Sequence, residues 1–147
     1  MPMLECPGLF TVPLVPDGWS VTSDGNLYEL QPASRDAALH ISVYPRTKPT
    51  DPQPGEAEAL LKRFISSRPP EGDVRIVALP QEGHEQRAFA KYQNRTDDGK
   101  LHEWIAGCIL WPTAMLMCSC NAAPGNAALK EGEIMIASIF EGTESDG

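Results

Sequence analysis

The chain has 147 residues, 41% of them hydrophobic and 22% charged, the size and make-up of one globular domain. At this length folding buries roughly 70% of the surface that the unfolded chain exposes, so a core forms without a disulfide or metal staple. Twenty acidic residues against twelve basic ones leave a net charge of -8, and the basic residues are scattered, with Lys62 and Arg63 the closest pair. Nucleic acid and anionic membrane surfaces are therefore excluded as expected partners.

The first ten residues, Met1 to Phe10, carry Glu5 and Pro7 where a secretory signal would have a positive and then an apolar region. The longest apolar stretch, Ile105 to Met117, is interrupted by Gly107 and Pro112 and falls short of the roughly 18 residues that read as a bilayer span. A cytoplasmic chain with reduced thiols is the expectation.

In chain order, Leu9 to Val15 is a short apolar run closed by the turn signature Pro16-Asp17-Gly18. Trp19 to Thr22 and Leu27 to Leu30 then read as a hairpin about Ser23-Asp24-Gly25-Asn26. From Ala37 to Tyr44 the pattern alternates, with Leu39, Ile41 and Val43 on one face and His40, Ser42 and Tyr44 on the other. Four prolines (Pro45, Pro49, Pro52, Pro54) make the next stretch a long irregular connection. The period then shifts to 3.6, and Ala57, Leu60, Leu61, Phe64 and Ile65 form the stripe of an amphipathic helix that Pro69-Pro70 stops.

Four further strands follow: Val74 to Leu79, Arg87 to Arg95, Leu101 to Trp111 and Ala114 to Ala122, the last three as an antiparallel meander. In Trp104 to Leu110 and Ala114 to Cys120 both alternating sets are apolar, which requires cover on both faces of the sheet. The second cover should be Asn126 to Phe140, entered at Pro124-Gly125-Asn126. Gly132 weakens that helix, and Glu133 to Phe140 also fits a strand. Residues 1–8 and 141–147 read as flexible tails. The whole predicts a single-domain α+β fold, an antiparallel sheet sandwiched between helices.

Phe10-Thr-Val-Pro, Pro16-Asp-Gly-Trp19 and the closing Ile136-Ala-Ser-Ile-Phe140, together with this order of elements, resemble the Mog1/PsbP/DcrB-like superfamily over about residues 9–140. The resemblance implies the same sheet between helices. It implies binding more than catalysis, because that superfamily includes a nuclear-import factor, photosystem subunits, lipoproteins and effector chaperones. No binding residue carries over position by position.

Candidate chemistry is sparse. His84-Glu85 and His102-Glu103 lie outside any H-E-x-x-H pattern, and His40, His84 and His102 read as solvated or structurally hydrogen-bonded, His102 through a surface ion pair near Asp97-Asp98-Gly99. Asp97 and Asp98 are explained as turn formers, and Asn94-Arg95-Thr96 as a polar turn. No serine sits in a nucleophile elbow, and the glycines are isolated, without the spacing of a phosphate loop. Cys118 and Cys120 share a strand face and Cys108 can oppose them across the hairpin, but the paired loops of structural zinc sites are missing. Those thiols therefore read first as small buried hydrophobes, and Cys6 as part of a mobile N-terminus with no nearby base. No catalytic residue, metal or cofactor is assigned.

Trp104, Trp111, Met115 and Met117, around the Pro112-Thr113 turn, are the candidate partner-binding residues, with core packing as the competing reading. The expected function is a non-catalytic protein-binding module or adaptor, with a second copy of the chain among the candidate partners. An immunity protein neutralising a basic toxin is the alternative, and a small-ligand binder or enzyme ranks last. A concave site gathering His and carboxylate would favour catalysis.

Overall fold

A computed structural model describes residues 3–142. Its elements in chain order are β1 (Leu4–Cys6), β2 (Phe10–Val12), β3 (Ser20–Asp24), β4 (Leu27–Gln31), β5 (Ala37–Pro45), α1 (Glu56–Ser66), β6 (Arg75–Ala78), β7 (Gln86–Arg95), β8 (Leu101–Trp111), β9 (Ala114–Ala122), α2 (Ala127–Ser138) and β10 (Phe140–Glu141). Seven strands form one antiparallel sheet in the order β3-β4-β5-β9-β8-β7-β6. No helix among the described residues is long and apolar enough to cross a membrane.

The central strands explain why the two helices are needed. Along β8, Ile105, Ile109 and Trp111 join one buried cluster, while Ala106, Cys108 and Leu110 join another. Successive side chains on a strand point to opposite faces, so these clusters lie on the two sides of the sheet. Ala57, Leu61 and Ile65 of α1 belong to the second cluster, and Ala128, Leu129, Met135 and Ile136 of α2 to the first. The double apolar alternation of β8 and β9 is thus satisfied by one helix on each side.

Both helices start with an identifiable cap. Asn126 accepts a hydrogen bond from the Ala128 backbone N–H at 2.8 Å, satisfying one of the orphan donors of α2. Gly55, which precedes α1 at φ 73°, has no side chain to offer. The buried side chain of Gln86 substitutes from β7, its Oε1 accepting from Ala57 N–H at 3.0 Å and its Nε2 donating to the Gln53 carbonyl. That bond ties α1 to the strand it covers.

Gly132 has a role that helix propensity alone does not reveal. A Cβ at this position would lie 2.4 Å from Cys120 Sγ, and one at Gly107 would lie 2.9 Å from Ile136 Cγ2. These two glycines let α2 approach β9 and β8 closely. The closing segment is helical through Ser138, and only Phe140–Glu141 is strand, because its apolar side chains must cover the central strands.

Two tail expectations are corrected. Leu4–Cys6 is strand β1, paired with β2, and Cys6 is buried. Glu141 pairs with Phe10 in β10, so β1, β2 and β10 make a second, three-stranded sheet. That sheet caps the β3-β4 end of the α2 face, with Phe10 and Tyr28 meeting edge to face at 5.2 Å. The remaining tail positions, 1–2 and 143–147, lie outside the described residues.

Gly132→Ala should lower stability by up to about 2 kcal/mol, the roughly 1–3 kcal/mol of overpacking less the roughly 1 kcal/mol that Ala gains in helix propensity. Urea unfolding measures it, and an unchanged or raised midpoint would show that α2 does not depend on this approach.

Candidate functional site

Helix α1 packs on β6, β7 and β8 and leaves the same face of β3, β4 and β5 without a helix. Where α1 ends, a groove of about 390 Å³ opens onto that uncovered half. Phe64, Ser67 and Arg68 form its wall, delivered by the last turn of α1, whose final bonds run from Ser67 N–H to Phe64 and from Arg68 N–H to Ile65. Pro69-Pro70 prevents continuation, and Glu71 N–H then bonds the Gln93 carbonyl at 2.7 Å, returning the chain to β7.

Strand register builds the floor. Tyr92 on β7 lies opposite Trp104 on β8, their rings parallel within 5° at 6.0 Å. Trp104 Nε1 donates to Asn94 Oδ1 at 2.7 Å. Ser119 on β9 lies opposite His40 on β5, and Met117 opposite Ser42. His40 Nε2 is 2.8 Å from Glu29 Oε2 of β4, and Leu27 forms the outer rim. Burial pushes the Tyr92 hydroxyl up to about 12 against the pull of nearby Arg68, so Tyr92 enters as a neutral, largely apolar wall.

The four aromatic and sulfur residues singled out in the sequence separate. Trp104 and Met117 line the groove, and Met115 packs with Met117 beneath α1. Trp111 is 2% exposed and lies in the cluster under α2, so the expectation that it flanks an exposed patch is corrected. Its register partner is Ala114, whereas Met115 pairs with Leu110. The turn beside it is tied to the loop after β5: Arg46 N–H bonds the Thr113 carbonyl and Thr50 N–H the Pro112 carbonyl, at 2.8 and 3.0 Å. Trp111 Nε1 donates to Glu85 Oε1 at 2.7 Å, and Arg87 holds the Glu85 carboxyl below the usual carboxylate range.

Other candidates also take definite places. His102 Nδ1 accepts from Asn121 Nδ2 at 3.1 Å in place of the expected ion pair with the turn. His84 Nδ1 lies 2.9 Å from Asp51 Oδ1 on the surface. Asn94 is not a turn residue but a buried member of β7. Trp19 is buried in the core under α2, where Nε1 donates to Glu131 Oε2 at 2.8 Å.

Cys108 pairs with Met117 and faces α1, while Cys118 and Cys120 face α2, so the three thiols do not share a face. Among the described residues no three His, Cys, Asp or Glu side chains gather as a metal site. Burial pushes Cys108 and Cys120 up to about 12 and raises Cys118 as well. Burial also raises Cys6, against the hydrogen bond with Tyr28.

No family profile and no curated protein matches the chain in sequence. Solved structures do match in shape. The solution structure of cyanobacterial PsbP (CyanoP) from Synechocystis sp. PCC 6803 is 14% identical, with a TM-score of 0.65 over 95% of this chain and 91% of that one. The chain has a PsbP-like fold. A crystal structure of a protein from Bacteroides thetaiotaomicron VPI-5482, 17% identical, matches with a TM-score of 0.63 over 98% of this chain. This chain spans about half of that protein, 49% of its length. Identities this low carry the fold and no activity, so the Mog1/PsbP-like resemblance stands at the level of architecture.

Trp111→Ala should cost about 3–5 kcal/mol of stability, read as an early thermal or urea transition; a wild-type transition would return Trp111 to a surface role. A thiol-reactive disulfide reagent at pH 8 should find the four cysteines inert in the folded chain and reactive after guanidinium unfolding, because the thiolate is the attacking species. Rapid reaction of any one in the native state would contradict its burial.

Proposed function

We propose that the chain is a non-catalytic binding module that holds a segment of another protein in the groove beside α1. The observation that carries this reading is the half-covered sheet face. A helix covers β6 to β8, while Leu27 and Tyr44, 40% and 53% exposed, stand on the uncovered part of the same face. Exposed apolar side chains around a concavity with placed polar groups are the ordinary make-up of a recognition site. The PsbP-like fold supports the architecture alone.

The pairing of His40 with Glu29 beside Ser119 favours a second, hydrolytic reading. A serine-based mechanism needs the carboxylate on one ring nitrogen and the serine on the other. Here Glu29 holds Nε2, and no hydrogen bond joins Ser119 to His40 among the described residues. The pair is better suited to fixing the imidazole as part of a binding floor.

The test compares wild type with Leu27→Glu, a change at the exposed rim that leaves the core intact. Tagged protein is used to capture partners from a lysate of its source cells, with stoichiometry by mass spectrometry. A near-stoichiometric protein retained by wild type and reduced at least tenfold by Leu27→Glu, at unchanged Tm, is the expected result. Equal capture by both would move binding to another surface, and recovery of the bare chain by wild type would end the adaptor reading.

A further inference from the structure

The groove is exceptional in this molecule for its charge. The chain carries twenty acidic residues and a net charge of -8, yet no Asp or Glu lines the groove. The cavity beside the start of α2, by contrast, is lined by Asp73, Glu103 and Glu133 together with Lys91 and Lys130. Arg68 is the permanent cation of the groove, and no carboxylate pairs with it among the described residues. The nearest floor carboxylate, Glu29, is engaged by His40.

Several of the remaining polar groups can donate, whereas Ser67 spends its hydroxyl proton on the Phe64 carbonyl. Asn94 turns its Oδ1 to Trp104, which leaves Nδ2 to donate. Ser42 and Ser119 each offer a hydroxyl. The stacked Tyr92 and Trp104 supply an apolar surface in the same groove as these donors and Arg68. One guanidinium fork matches a planar carboxylate in bidentate fashion. A phosphate would ask for more charge than a single Arg, and no glycine-rich loop or helix N-terminus lines this groove to supply it.

We propose that the groove recognises a carboxylate borne next to an aromatic or large apolar group, with Arg68 as the charge anchor and the Tyr92–Trp104 stack as the apolar wall. This rests on the binding reading above and names the chemistry of what is bound. On that reading the carboxylate is the C-terminal one of a partner chain that ends in an aromatic or large apolar residue.

The experiment is a titration of the 15N-labelled chain with phenylacetate, followed at the Trp104 indole N–H and the Ser42 and Ser119 amides. Saturable shifts are expected with phenylacetate. Phenylacetamide, the neutral analogue, should bind at least tenfold more weakly, and Arg68→Gln, a change at an exposed position, should lose the same factor for phenylacetate at unchanged Tm. Equal binding of acid and amide, undiminished binding by Arg68→Gln, or no saturable shift each overturns the proposal. A pentapeptide ending in Phe, with a free C-terminus, should bind more tightly than phenylacetate and at least tenfold more tightly than the same peptide amidated. Tighter binding of phenylacetate, or equal binding of the two peptides, overturns the chain-end proposal. If Arg68→Gln still captures the partner that Leu27→Glu loses, the carboxylate proposal fails and the adaptor reading survives.

Discussion

Apolar side chains on both faces of β8 and β9 are the constraint from which the rest of the structure follows. A strand with one solvated face would need a single layer, but these two adjacent strands put Ile105, Ile109, Leu116 and Cys118 on one side and Ala106, Cys108, Leu110 and Met117 on the other. Burying only one set would leave the other in water at roughly 25 cal/mol per Å². The chain therefore sends α1 across one face and α2 across the other. The glycines at 107 and 132 set how close α2 can come, and Gln86 anchors the entry to α1.

The candidate groove follows from a mismatch of widths. Seven strands have six gaps of about 4.8 Å and span roughly 29 Å, whereas a helix with its side chains is roughly 10–12 Å across. On the α2 side the remainder is closed by the small sheet of β1, β2 and β10, with Phe10 against Tyr28 and Leu30 beneath it. Among the described residues no third element covers the α1 side of β3 to β5, and there the floor turns polar: Glu29, His40 and Ser42 replace the aliphatic residues found under α1. The change in composition along a single sheet face matches the change in cover, as the cost of burying unpaired polar groups requires.

Much of this architecture was legible because it is local. Alternation marked β5, the 3.6 period marked α1 through Leu61 and Ile65, and the turns about Gly83 and Gly99 separated the meander strands. Short strands left weaker traces. Leu4–Cys6 and Phe140–Glu141 are too brief for a period to show, and they exist because both pair with Phe10–Val12. The misplacement of Trp111 has a simple cause. Trp104 and Trp111 are seven residues apart, an odd number, so on one regular strand they face opposite sides. The groove was hidden for the reverse reason: Asn94, Ser119 and His40 come from three strands that pairing register brings into one sheet face, and Arg68 joins them from the turn that ends α1. The alternation of β5 already carried one visible sign of it, His40 and Ser42 on the face away from Leu39 and Ile41.

Charge gives the groove a selectivity that its volume alone would not. Acidic residues dominate the surface, so an anion approaching this molecule meets repulsion at long range, screened beyond roughly 8 Å at physiological ionic strength. Attraction by the exposed Arg68 acts only within that distance, and the wall of Tyr92 and Trp104 adds apolar contact to it. A small, highly charged anion collects the repulsion and gains little from the wall. A ligand with one negative charge and an apolar body gains from both, which is why a concavity whose nearest carboxylate, Glu29, is engaged by His40 favours amphipathic acids over anions in general.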